Sequence, residues 1–389
     1  MKKKLKEICT QIRGVSYKPS DVRDEFSGIP ILRANNIQDT GIVFDELVYV
    51  DSSKVHSEQY LLTDDIVICA SSGSKNLVGK AASYKSDLSA SFGAFCKVVR
   101  INNSDDLCKA YIQQYFQSKI YRNAISESSA GANINNIKTE DIEALEIPLP
   151  SKEAQQKIAA ELDTIQSAID NKKQQLALLD EAVKSEFVEM FGENPVENGK
   201  WKVEKLGDVA DIKIGPFGSL LHKNDYITGG HCLINPSHIK NNKIVKDAEL
   251  SVSDEKYSTL KAYQLERDDI VLGRRGEMGR CAIVEETGLL CGTGSMIVRP
   301  NGKLKAFFLN HVLSSADTKV FLEDRAIGVT MKNINEPLVK SIPVPVIPLD
   351  LQNQFASFVQ QIDKSKSLVK QQIADLQELL DSKMQKYFA

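Results

Sequence analysis

The chain has 389 residues, 42% hydrophobic and 26% charged, with 49 Lys and Arg against 52 Asp and Glu, a net charge of −3. That length suits two or three domains of ordinary globular composition, and the near-neutral balance excludes binding of polyanions by bulk charge alone. No apolar run approaches the ~18 residues of a membrane span, no apolar signal core follows the lysines after Met1, and seven scattered cysteines without a CxxC pair suit reduced cytoplasmic thiols.

In chain order, β-rich runs are predicted at 29–32, 42–50, 66–70 and 95–101, then a helix over 105–121. Ile147-Pro148-Leu149-Pro150 is an extended exit, because proline fixes φ and disfavours helix in the residue before it. Ser151 then stands where an N-cap belongs. A heptad helix follows, with Leu162, Ile169, Leu176, Val183 and Met190 at one seam position and Ile158, Ile165, Lys172 and Leu179 at the other. The plan then restarts: runs at 232–234, 270–273, 281–284 and 296–299, a helix over 304–322, a proline-rich exit at 342–348, and Asp350 as N-cap. The second heptad helix alternates Val359, Lys366, Ile373, Leu380 and Tyr387 with Phe355, Ile362, Val369 and Leu376. Each heptad helix has about 40 residues, hence roughly 60 Å.

The restart is a duplication. Residues 131–192 slide onto 328–389 without a gap, laying Asn136 on Asn333, Pro148 on Pro345, Leu162 on Val359 and Phe191 on Phe388. The front halves match more loosely: Gly14 answers Gly215, Asp65-Ile66-Val67 answers Asp269-Ile270-Val271, and Val99-Arg100 answers Val298-Arg299. A period of half the chain marks a duplicated domain, not a solenoid. The expected fold is α+β: two similar α/β globules separated by two long helices that form an antiparallel intramolecular coiled coil with a pseudo-two-fold axis. Boundaries are expected at 1–150, 151–192, 193–348 and 349–389, with the two termini close together. The seam residues Ile158, Leu162, Ile165, Ile169, Leu176, Leu179, Phe355, Val359, Ile362, Val369, Ile373 and Leu376 form the helical interface. Lys172 and Lys366 interrupt the seams, either to fix register or as snorkelling stems.

No motif announces catalysis or a metal. Gly73 to Lys80 has one residue too many for a phosphate loop and Ala81 where Ser or Thr should hold magnesium. The five histidines have no ligand spacing. What remains is three pairs of polar loops: Ser74, Lys75, Asn76 and Lys80 against Arg274, Arg275, Glu277 and Arg280; Arg33, Asn35 and Asn36 against Asn235 and His238; and Asn136 and Lys138 against Lys332 and Asn333. Arg forks onto guanine, Asn onto adenine, and Glu accepts from cytosine, so loops that share glycines but differ in side chains suit two readers of different base strings. Solvated hairpin tips would show the same composition.

Over its whole length the chain resembles the specificity subunits of type I restriction-modification systems. The resemblance rests on the strand-loop-strand from Asp269 to Arg280, its partner from Asp65 to Lys80, the exit at 147–150, and the Gln155-Gln156 and Gln352-Asn353-Gln354 segments that open the helices. It implies target-recognition domain, conserved helix, target-recognition domain, conserved helix, in a subunit that is not itself an enzyme. It further implies double-stranded DNA as ligand, two modification (methyltransferase) subunits carrying S-adenosylmethionine, and restriction subunits using ATP and Mg; the cytoplasmic setting and the absence of a membrane are expected from the thiols and the lack of an apolar span. A stand-alone duplicated DNA-binding regulator and a coiled-coil protein-binding scaffold are the competing readings.

Overall fold

The lysine-rich start of the chain is a strand. In the computed structural model, which describes residues 1–38, 41–74, 77–129, 136–326 and 333–389, Lys2–Lys4 pairs antiparallel with Glu146–Pro148, and Leu149 N donates to Met1 O. The proline exit is thus the edge of a two-stranded ribbon, where a missing N–H costs no ladder bond. The same closure recurs as Lys202–Lys205 against Pro343–Val346. The chain divides into two compact units, the first formed by residues 1–176 and 368–389 and the second by residues 177–367.

In the first unit an antiparallel sheet runs Cys9–Arg13, Cys96–Ile101, Ile66–Cys69, Ala81–Ser83. Side chains alternate across it. Ile66, Ile68, Val99 and Ile101 face a core shared with Tyr111 and Phe116 of the helices. Val67, Cys69, Val98 and Cys96 face a second core with Leu32 and Phe92. Both faces are covered, so Ile66–Cys69 is buried throughout and reads as a continuous apolar run. A second sheet contains Val22–Arg23, Val48–Val50, Ile29–Leu32 and Ser91–Phe92, the last two parallel.

The second unit repeats this order with Ala210–Ile214, Ser295–Pro300, Ile270–Gly273 and Cys281–Ile283. Its smaller sheet places Ser251–Val252 beside His231–Ile234, which runs parallel to Leu290–Cys291.

Four expectations need correcting. The run 42–50 is two strands, Gly41–Ile42 and Val48–Val50, because Glu46 between them has φ 52°. The helix over 105–121 is two, Lys109–Gln117 and Lys119–Ser129; Ser118 is extended and its Oγ accepts from Tyr121 N. The helix over 304–322 breaks likewise into Ala306–Leu313 and Ala316–Arg325, with Ser315 as N-cap. The second long helix begins at Leu349, one residue before Asp350, because Pro348 O already accepts from Leu351 N and Gln352 N.

The two heptad helices are Lys152–Phe191 and Leu349–Phe388, 40 residues each. Of the seam residues, Leu162, Ile165, Ile169, Phe355, Val359 and Val369 are buried, and Ile158, Leu176, Leu179, Ile362, Ile373 and Leu376 are half-buried. In the second unit Asp180 meets Lys366 while Phe187 meets Phe355, so the helices run antiparallel there. In the first unit Glu161 Oε1 lies 2.6 Å from Lys383 Nζ, and Tyr387 donates to Glu161. The seam lysines differ: Lys366 reaches across to Asp180 at 2.6 Å, whereas Lys172 donates to Gln175 on its own helix. Both termini belong to the first unit. Met1 O is tied to Leu149 N, and Phe388 packs on Tyr111, whose hydroxyl donates to Pro148 O.

The glutamines that open the helices are fasteners. Gln155, fully buried, accepts from Cys108 N and donates to Asp106 O and Pro150 O. Gln352, also fully buried, accepts from Lys305 N and donates to Lys303 O and Ile347 O. Each side chain therefore pins the start of a long helix to the start of a globule helix. Leucine has the volume but none of the bonds, so Gln352→Leu should lower stability by about 2–4 kcal/mol through stranded buried backbone groups; a denaturant titration measures it.

Candidate nucleic-acid interface

Within each globule the three candidate segments meet, and the same backbone bonds hold them. In the first, Ala70 N and Ser71 N donate to Phe95 O, Ile137 N donates to Ala70 O, and Gly93 N donates to Leu32 O. In the second, Arg274 N donates to Gly294 O, Ile334 N to Arg274 O, and Gly292 N to Ile234 O. Ser71 bridges to Asn136 as Arg275 bridges to Asn333. Backbones approach so closely that a Cβ on Gly14 would lie 2.0 Å from Gly93 O, and one on Gly215 would lie 2.0 Å from Gly292 O. Only glycine fits there, which explains why these two align across the repeat.

Behind each tip a buried aspartate is forked by a half-buried arginine. Asp65 accepts from Arg100 Nε and Nη2 and from Leu62 N; Asp269 accepts from Arg299 Nε and Nη2 and from Glu266 N. Both carboxylates are 1% exposed, and the bidentate fork fixes the strand start that leads to the loop.

The candidates divide by exposure. Ser74, Asn35, Asn136, Lys138, Arg275 and Glu277 are exposed. Lys80 and Arg280, the final cations of the paired loops, are half-buried, and each follows a glycine of positive φ, Gly79 at 82° and Gly279 at 74°. Arg280 is engaged: Nη2 lies 2.8 Å from Glu277 Oε2 and Nη1 donates to Pro236 O. That hydrogen bond holds the Glu277 carboxyl below its ordinary range. Arg274 is half-buried, its Nε donating to Ile334 O; burial, then neighbouring Arg275, lowers its pKa. Asn333 is half-buried and its Oδ1 has no partner among the described residues. Lys75, Asn76 and Lys332 lie outside the described residues.

Two candidates serve the turn instead of solvent. Asn36 is fully buried; its Oδ1 accepts from Arg33 N and its Nδ2 donates to Val43 O and Asp45 O. His238, equally placed in the second globule and buried, has Nδ1 at 2.8 Å from Leu233 O and 3.2 Å from Asn235 N. Asn235 Oδ1 is itself within 3.5 Å of Gly294 N, and Arg33 Nη2 donates to Glu46 O. Sequence reasoning passed over Phe95, which is 69% exposed on the turn beside Ser71. The expected run 95–101 begins one residue later, at Cys96, and leaves Phe95 in the turn that Cys96 N closes on Gly93 O.

The chain belongs to the type I restriction modification DNA specificity domain family, whose model matches residues 1–181 and again 198–378. It is 30% identical over 396 residues to the StySPI specificity subunit of Salmonella potsdam, covering 94% of this chain and 82% of that one. Over 170 residues it is 41% identical to the EcoKI specificity subunit of Escherichia coli K12, covering 43% of this chain and 36% of that one. The fold matches the type I restriction-modification S subunit from M. genitalium, with a TM-score of 0.55 at 16% identity over 100% of this chain and 96% of that chain. A chain from a structural study of type I system assembly and conformational transition matches with a TM-score of 0.60 at 17% identity, covering 100% and 97%. DNA sequence specificity within a restriction-modification complex is therefore the role of this protein. No helix among the described residues is long and apolar enough to cross a membrane.

Proposed function

We propose that each globule reads one half of an asymmetric, gapped DNA site and that the paired helices set how many base pairs lie unread between the halves. The observation that carries this is one backbone frame dressed with different side chains. Ser71 bridges to Asn136 in one globule where Arg275 bridges to Asn333 in the other, so beside a shared asparagine one tip offers a hydroxyl and the other a guanidinium to a groove. On this reading the chain supplies no catalytic group. Two modification subunits carrying S-adenosylmethionine methylate adenine N6 after the base leaves the duplex, and restriction subunits use ATP and Mg. The modification subunits share the phosphate contacts that a near-neutral chain cannot supply alone. A cytoplasmic setting fits seven cysteines that are all free thiols.

The test is genome-wide mapping of methylated adenine in cells holding the modification subunit with and without this chain. Gapped methylation that depends on the chain supports the reading; specific DNA binding by the chain alone, without dependent methylation, would favour a stand-alone regulator. Deleting one heptad from each long helix should shorten or abolish the permitted gap while both half-sites persist. Altered half-sites with an unchanged gap would refute the spacer role.

A further inference from the structure

The first globule carries a charge arrangement that the second lacks. On the antiparallel strands Cys9–Arg13 and Cys96–Ile101, Arg13 stands directly opposite Lys97. Like charges facing each other across a sheet are destabilising. At the matching register in the second globule, Ile214 faces Met296, so the scaffold does not require cations there. Arg13 and Lys97 line a cleft of about 390 Å³ together with Gly14, Ser16, Asn136 and Lys138. The cleft reaches Ala70 and Ala94, and so adjoins the tip where Ser71 meets Asn136 and Phe95.

The three cations share the cleft with one carboxylate, the exposed Glu140. Lys97 is half-buried, with Nζ 3.0 Å from Thr139 Oγ1. Burial, then Arg13, lowers its pKa, and Glu140, Asp141 and Glu143 oppose this only in part. Arg13 and Lys138 are exposed, and no side-chain hydrogen bond or ion pair engages either among the described residues. An anion between Arg13 and Lys97 would turn their repulsion into attraction to a shared partner, with the guanidinium fork matched to two phosphate oxygens.

We propose that this cleft holds a backbone phosphate of duplex DNA beside the bases read by the first globule, and that the second globule has no equivalent. The proposal rests on the DNA-reading function above and adds to it an inequality: the two half-sites are gripped differently. A phosphate contact positions the globule without specifying a base.

The experiment uses the full chain assembled with its modification subunits on the cognate duplex. Single neutral methylphosphonate linkages are scanned through both half-sites, for wild type and for Arg13→Ile/Lys97→Met, which copies the pair with which the second globule folds. One or two linkages in the first globule's half-site should weaken wild-type binding about tenfold and have no further effect on the variant, whose log–log salt slope should be shallower by about 1–2. The variant should still methylate the same bases, less efficiently. A variant with the wild-type linkage profile and salt slope would overturn the site. If the double variant fails to assemble, Lys138→Gln, an exposed change, decides: a weaker response at the same linkages supports the site and an unchanged one overturns it. Stabilisation by inorganic phosphate with no sensitive linkage would mark a free-anion site and also overturn it. Wild-type complex without sequence-specific binding would sink the DNA reading itself, and the site with it.

Discussion

Truncating Phe388 to alanine, one residue from the end of the chain, is expected to destabilise the first unit by about 3–5 kcal/mol, the cost of emptying a buried aromatic site. A terminal residue is ordinarily expendable. This one is 2% exposed, with its ring 5.1 Å from Tyr111 and 5.6 Å from Tyr115. The end of the second long helix is thereby part of the first globule's core. The duplication supplies the control: Phe191, which aligns with Phe388, packs 5.2 Å from Phe308 and 5.4 Å from Phe355 in the second unit. Phe191→Ala should cost as much, there. Leu379→Ala, at an exposed position nearby, should stay within about 0.5 kcal/mol. Thermal or denaturant unfolding of the three variants distinguishes these outcomes; a Phe388→Ala protein as stable as Leu379→Ala would mean that the helix end is not core.

What was legible in the sequence is what depends on periodicity. The heptads gave both helices and their seam, because burial along a helix repeats the apolar pattern that encodes it. The gapless repeat gave the duplication, and Ile66–Cys69 announced itself as an unbroken apolar run. What was illegible depends on distance and register. Lys2–Lys4 looks like nothing until Glu146–Pro148 lies beside it. Polar residues at tips resemble readers, yet Asn36 and His238 are consumed by the turn, since a buried backbone group must find a partner and a nearby side chain is the shortest route. The Arg13–Lys97 pair is 84 residues apart in sequence and becomes a pair only through strand register. Gln155 and Gln352 stood out in the sequence only through a resemblance, and the fold alone shows each as the fastener of its own helix to its own globule.

Exchanging residues 201–345 for the equivalent globule of a related subunit should replace one half of the methylated sequence and leave the other half and the gap unchanged. The physical ground is that the second globule has its own core around Leu272, Val298 and Phe308 and its own tip, bonded together by Arg274, Gly294 and Ile334. Two junction features must survive the exchange. Gln352 needs the backbone at Lys303 and Lys305, and Phe187 and Phe191 need the apolar face at Phe308. With those kept, the original site presents several wrong base pairs to the new tip, each costing about 1–3 kcal/mol, so its methylation should fall on the order of a thousandfold or more. Mapping of methylated adenine reads both halves at once. If both half-sites changed together, the tips would not read independently, and the equivalence of their backbone frames would have no bearing on how the DNA sequence is recognised.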